Sequence, residues 1–133
     1  MRTVRSAGCM KDVINEWVKL QAQRTGLFAI GVVHSDNTFS SQSCSTLYPA
    51  IFLNNSWRCL KDTFEMVRKH QRFDPLSLRW VYEHACLYAA QRADGSVLGI
   101  YVTRDEQLVP RTEVEKLLNE FLFMEELSSS EVA

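Results

Sequence analysis

The chain has 133 residues, 46% of them hydrophobic and 23% charged, near the averages of globular proteins and far from those of disordered or collagen-like chains. Fifteen Lys and Arg against sixteen Asp and Glu leave a formal charge of −1, so no overall field draws the molecule onto nucleic acid or an anionic membrane. At this length one domain with a sizeable core is expected.

Residues 1 to 8 carry no periodicity and read as a flexible lead-in. The opening MRTVRSAGCMKDV has no uninterrupted apolar run, so neither a signal peptide nor a membrane anchor is expected. Cys9, Cys44, Cys59 and Cys86 are scattered and form no C-x-x-C pair. Reduced thiols in a cytoplasmic protein are the expectation.

From Cys9 or Met10 to about Arg24, the residues Met10, Val13, Ile14, Trp17, Val18 and Leu20 recur at helical spacing. Gly26 then stands where a helix commonly ends in a left-handed residue. Leu27 to His34 is a short apolar run with β-branched residues, which predicts a strand buried on both faces. Ser35-Asp36-Asn37 makes a turn, and the polar Thr38 to Ser45 a second strand at a sheet edge. The pair reads as a hairpin of one central strand and one solvated neighbour. Leu47 to Ala50 is a connection, because Pro49 cannot donate a sheet hydrogen bond.

Asn54, Asn55 and Ser56 are cap candidates for a helix reaching about Gln71. At 100° per residue, Leu53, Trp57, Leu60, Phe64 and Val67 form one stripe. A milder second stripe holds Cys59, Thr63, Met66 and His70. That apolar arc is wider than one sheet face requires, so the second stripe either lies under a loop or meets another chain. Arg68, Lys69, His70 and Arg72 crowd the helix end, where positive charge suits the exposed carbonyls. The cluster therefore needs no nucleic-acid partner.

Residues 76 to 104 predict a three-stranded antiparallel meander that forms the centre of the sheet. Leu78, Trp80 and Tyr82 alternate with Arg79, Val81 and Glu83. Cys86, Leu87 and Tyr88 resume after Glu83-His84, and Ala93 to Ser96 supplies a turn around Gly95. Val97 to Thr103 follows, with Val97, Gly99, Tyr101 and Thr103 on one face and Leu98, Ile100 and Val102 on the other. Gly31 and Gly99 are accounted for by strand geometry. Pro110 suits the start of a last helix, whose apolar face is Val114, Leu117, Leu118, Phe121 and Met124. Residues 128 to 133 are a flexible tail, leaving a single domain over 9–127. The fold class is α+β: one five-stranded antiparallel sheet with elements in the order α-β-β-α-β-β-β-α.

Chemistry-bearing patterns are absent. Neither G-x-x-x-x-G-K-[ST] nor G-x-G-x-x-G occurs, and His34, His70 and His84 lack a second ligand at i+3 or i+4. No cofactor or metal is expected. A thiol-dependent enzyme would need Cys86 and His84, whose i, i+2 spacing in a strand places both on one face roughly 7 Å apart, beyond hydrogen-bond reach. The expectation is that the protein is not an enzyme. A sensory domain of PAS or profilin-like type, holding a small ligand against Trp80, Tyr88 and Tyr101 in a cavity of a few hundred Å³, is the alternative function.

The segments LFAIGVVHSDNTFSSQ, SWRCLKDTFEMVRKH and LRWVYEHACLYAAQRADGSVLGIYVTRD, with the long helix between hairpin and meander, resemble the roadblock family of dynein light chains and bacterial GTPase-associated proteins. The resemblance spans Met10 to Met124. It departs at TFSSQSC, which is serine-rich where the family commonly has a glycine-led run of small residues. The resemblance implies a cytoplasmic homodimer in which the middle helices pack antiparallel and the sheets join through the third strand. It also implies an adaptor or regulatory role with a small Ras-like GTPase or a larger assembly. Carried onto this chain, it assigns Cys59, Thr63, Met66 and His70 to the helix pair, and Leu78, Trp80 and Tyr82 to the joined strands.

Overall fold

A computed structural model describes residues 7–71 and 75–124 of the chain. The elements are α1 (Ala7–Gln21), β1 (Leu27–Val33), β2 (Phe39–Ser43), α2 (Ala50–His70), β3 (Ser77–Val81), β4 (Ala85–Gln91), β5 (Val97–Thr103) and α3 (Arg111–Leu122). Their order is the expected one, and the five strands form one antiparallel sheet in the spatial order β2-β1-β5-β4-β3.

The strand order corrects the expected placement of the meander. The middle strand is β5, flanked by β1 and β4, whereas β3 is an outer strand. β1 is second from the opposite edge and is buried along nearly its whole length, as its continuous apolar run predicts. Polar β2 lies at the edge, where Ser40 is buried against His34 and Ser41 accepts a hydrogen bond from the Trp57 indole.

Alternation along each strand divides the interior in two. Ile30, Val32, Tyr88, Leu98, Ile100 and Val102 pack with Ile14 and Val18 of α1 and with Val114, Leu117, Leu118 and Phe121 of α3. The other face sends Ala29, Val33, Leu87, Ala89, Val97 and Tyr101 against Leu53, Trp57, Leu60 and Phe64 of α2. Met124 packs at the margin of the first cluster. The Arg92 guanidinium ties the β4–β5 turn to α3: it donates to the Phe121 carbonyl at 2.6 Å, lies over the Phe121 ring at 5.6 Å and pairs with Asp94 in its own turn.

Three local boundaries differ from the sequence expectation. α1 ends at Gln21, and irregular turns carry the chain to Gly26. Gly26, at φ +85°, serves the entry into β1, where an added Cβ would meet the Val109 side chain, and does not cap the helix. α2 starts well before the expected caps, by about one and a half to two turns. Pro49 occupies the cap position and its carbonyl accepts the first helical bond from Leu53, so Asn54, Asn55 and Ser56 lie inside the helix. A proline has no N–H to leave unpaired there, and no side chain caps this end. α1 also begins at Ala7, inside the expected lead-in; residues 1–6 and the expected tail lie outside the described residues.

Candidate functional site

The position of α2 on the sheet follows from a row of small residues. Ser41, Gly31, Gly99 and Ala89 are successive partners across β2, β1, β5 and β4. The Trp57 indole lies on the two glycines: a Cβ on Gly31 would stand 2.2 Å from its Nε1, and one on Gly99 2.4 Å from its ring. The indole N–H donates to the Ser41 hydroxyl at 2.9 Å. Trp57 is 1% exposed. The helix is thereby seated over β2, β1 and β5, with Leu87 and Ala89 of β4 packed at its margin, which leaves the same face of β3 without a helix above it.

That uncovered strip is an open apolar groove of about 790 Å³. Its floor is the next row of cross-strand partners, Tyr101, Leu87 and Trp80. One wall is the flank of α2, with Phe52, Ser56, Cys59 and Thr63; Tyr82 and His84, in the β3–β4 turn, close one end. Tyr48 stacks between Phe28 and Tyr101, with ring centroids at 5.8 and 4.8 Å. The Tyr101 hydroxyl meets Ser56 Oγ at 3.0 Å, and burial pushes the phenol pKa up against the opposing effect of that bond. The floor therefore presents aromatic faces and one satisfied hydroxyl pair.

The residues assigned to an interface fall around this groove. Cys59, Thr63, Trp80 and Tyr82 line it directly, and Leu78 packs at the edge of the α2-side core. Cys59, Met66 and His70 are exposed on the same flank of α2, with Met66 at 56%. Tyr82, 50% exposed, lies just past the end of β3. The stripe of Cys59, Thr63, Met66 and His70 is thus covered by no loop among the described residues. Beside it, the outer edge of β3 pairs with no strand among them.

Sequence reasoning missed Phe52 and Tyr48. Phe52 was assigned to no stripe because the helix was expected to begin after it, although the apolar run Ala50 to Leu53 that follows Pro49 was a usable signal.

The small-ligand reading is corrected in one respect. Trp80 and Tyr101 line the groove, but Tyr88 faces the opposite core, where the Arg79 guanidinium lies 5.9 Å from its ring centroid. The pairing considered for thiol chemistry is also separated. His84 is in the exposed turn at the groove, whereas Cys86 is buried in the α1/α3-side core, because the strand begins only at Ala85 and the two do not share its alternation. Cys44, Cys59 and Cys86 are free thiols. Among the described residues no three His, Cys, Asp or Glu side chains cluster as metal ligands, and no helix is long and apolar enough to cross a membrane.

No family profile and no curated protein matches the sequence. Solved structures do match the fold. Myxococcus xanthus MglB is similar at 13% identity, with 80% of each chain covered and a TM-score of 0.56. A Roadblock/LC7 domain from Streptomyces avermitilis is similar at 12% identity, over 78% of this chain and 91% of that one, with a TM-score of 0.53. The chain has the α+β fold of roadblock domains.

Proposed function

We propose that the protein is a non-enzymatic homodimeric adaptor or regulator, in which the α2 flank and the β3 edge are covered by a second copy. The observation that carries this reading is the coincidence of two unfinished surfaces. An apolar groove about 790 Å³ in volume opens beside the outer edge of β3. An unpaired strand edge needs hydrogen-bonding partners, and exposed apolar surface rimmed by polar groups marks a protein contact. A second copy supplies both at once, since its own strand edge and helix flank have the same needs.

The extent of the surface suits a stable pair. α2 has 21 residues and so a length of about 32 Å. With the neighbouring strands, a strip roughly 20 Å wide gives ~600 Å² in projection, comparable with the about 800 Å² per partner of standard interfaces.

The proposed partner beyond the second copy is a small Ras-like GTPase or a larger protein assembly, supported by the roadblock-like fold. Purification of the tagged protein from its native cell extract tests this part. Recovery of a Ras-like GTPase or of the subunits of one assembly, in fixed ratio and rebuilt from purified components, is the expected result. Repeated recovery of the protein with neither contradicts it. A small ligand in the groove is the other outcome to be scored, through native mass spectrometry of the same preparation.

A further inference from the structure

We propose that the free edge of β2 takes an extended strand of a different chain, antiparallel to β2, with an apolar residue at one position and a carboxylate four residues later. This surface is at the opposite edge of the sheet from β3 and belongs to a single copy, so it stands independently of the two-copy reading. β2 pairs with β1 through five consecutive residues without a bulge. The His34 N–H donates to the Thr38 carbonyl at 2.8 Å, and the Cys44 N–H to the Phe28 carbonyl at 2.9 Å. Bonded and non-bonded pairs alternate along an antiparallel ladder, so the backbone groups of Ser40 and Gln42 face β1. Those of Phe39, Ser41 and Ser43 point outward. Edges that stay unpaired are commonly guarded by a charge, a proline or a bulge. Phe39 to Ser43 carries none of these, and no strand among the described residues pairs with its outer side.

α2 runs antiparallel above this edge: Trp57 donates to Ser41, Arg58 lies 5.6 Å over the Phe39 ring, and Lys61 reaches Asn37 Oδ1 at 2.7 Å. The flank it presents there has two unlike ends. Ile51 and Arg58 are seven residues apart, on one line of the helix and about 10 Å from each other along it. At the Ser43 end stand Ile51, 75% exposed, and Leu47, 82% exposed. The loop that carries Leu47 is tied down, because the Ser43 hydroxyl donates to the Tyr48 carbonyl at 2.6 Å. Ser43, Ser45, Tyr48 and Pro49 line an open depression of about 550 Å³ at this end. At the Phe39 end, Arg58 has no carboxylate partner among the described residues, and Lys61 meets only neutral oxygens.

An added strand satisfies the outward backbone groups, and its side chains on the α2 face recur at every second residue. Opposite Ser43, an apolar side chain covers Leu47 and Ile51. Four residues and about 13 Å further on, opposite Phe39, a carboxylate meets Arg58. A second copy is a poor occupant. Its β2, paired about a twofold axis at Ser41, would set Leu47 and Ile51 against the cationic end of its mate.

The test titrates the full, isotope-labelled chain with the synthetic peptides TLTSTET and TLTSTKT and follows backbone amides by NMR. Saturable binding of TLTSTET is expected, at least fivefold tighter than that of TLTSTKT. At saturation, hydrogen exchange of the Phe39, Ser41 and Ser43 amides should slow at least fivefold, with those of Ser77, Arg79 and Val81 in β3 unchanged. Arg58→Glu should invert the preference between the peptides, and Ile51→Ser should weaken both; each side chain is at the surface, so the fold is retained. Absence of saturable binding, protection at β3 in place of β2, or an unaltered preference in Arg58→Glu overturns the proposal. None of these outcomes bears on whether the chain dimerises, which sedimentation reads separately.

Discussion

Gly31 and Gly99 are partners across β1 and β5, and the indole of Trp57 rests on both. This contact determines how far along the sheet α2 sits and, by leaving β3 beyond the helix on that face, where the groove opens. Adding one methyl group at Gly31 or Gly99 drives it into the ring. Gly31→Ala and Gly99→Ala are each expected to cost about 1 to 3 kcal/mol, the usual penalty for overpacking a close-packed core. Urea unfolding followed by tryptophan fluorescence measures the loss; an unchanged midpoint would mean that the indole does not lie on this pair.

The buried His34 sets a pH dependence. Its Nε2 lies 2.7 Å from Ser40 Oγ, and burial, aided by the nearby Lys11 ammonium, lowers its pKa below the usual 6.5. As pH falls through 6.5 the unfolded chain takes up the proton first. His34 thus contributes stability above that pH that is lost progressively as pH drops toward its folded value. Asp36 acts in a separate window: the Thr38 hydroxyl and then Lys11 hold its carboxyl well below the usual carboxylate range. Its contribution is present above pH 4 and is lost only in stronger acid. Urea midpoints at pH 7.5 and 5.5 should differ for the native chain and converge in His34→Gln. An equal drop in both would assign the effect to other groups.

Arg92 should be costly to remove. Its side chain is only 12% exposed and bonds the Phe121 carbonyl at 2.6 Å. Arg92→Ala is expected to destabilise by about 2 to 3 kcal/mol, the loss of a charged hydrogen bond and a cation–π contact. Thermal unfolding checks it, and Arg92→Lys should recover only part of the loss because one ammonium cannot match the fork geometry.

The thiols should separate by reactivity. Cys44 and Cys59 are exposed and Cys86 is buried, and burial raises the Cys44 thiol pKa. In a Cys9→Ser background, Ellman's reagent at pH 8 should label Cys44 in the native dimer, Cys59 only when dilution or Met66→Lys separates the copies, and Cys86 only on unfolding. Fast labelling of Cys86 in the folded protein would contradict its placement between the sheet and α3.

Much of this architecture is legible in the sequence because alternation and helical period survive in single segments. Val97 to Thr103 has the bounds that its pattern predicts, and Leu53, Trp57, Leu60 and Phe64 are the buried face of α2. What the sequence hides depends on distant neighbours. The lateral order of strands places β3 outside and β5 in the middle; no local pattern specifies it. Tyr88 and Trp80 look alike as strand aromatics, yet pairing in β3 and β4 sends them to opposite faces. The two glycines read as ordinary strand residues until Trp57, 26 positions beyond Gly31, is seen above them. Cys59, Thr63, Met66 and His70 could be recognised as a second stripe, but only the position of α2 shows that they border an open groove.

A single charge should separate the copies without disturbing the fold. Met66 is exposed, so Met66→Lys ought to leave the unfolding midpoint of a dilute, monomeric sample within about 0.5 kcal/mol. It should nevertheless shift the association equilibrium by at least tenfold toward monomer. A variant that associates as strongly as the native chain would remove this flank of α2 from the contact.

The most direct measurement is the solution mass. Sedimentation equilibrium of the native chain at micromolar concentration is predicted to return twice the 15.3 kDa of one copy. A mass of 15.3 kDa that persists as the concentration is raised a hundredfold would mean that the groove and the β3 edge remain uncovered by a second copy, in contradiction of the account.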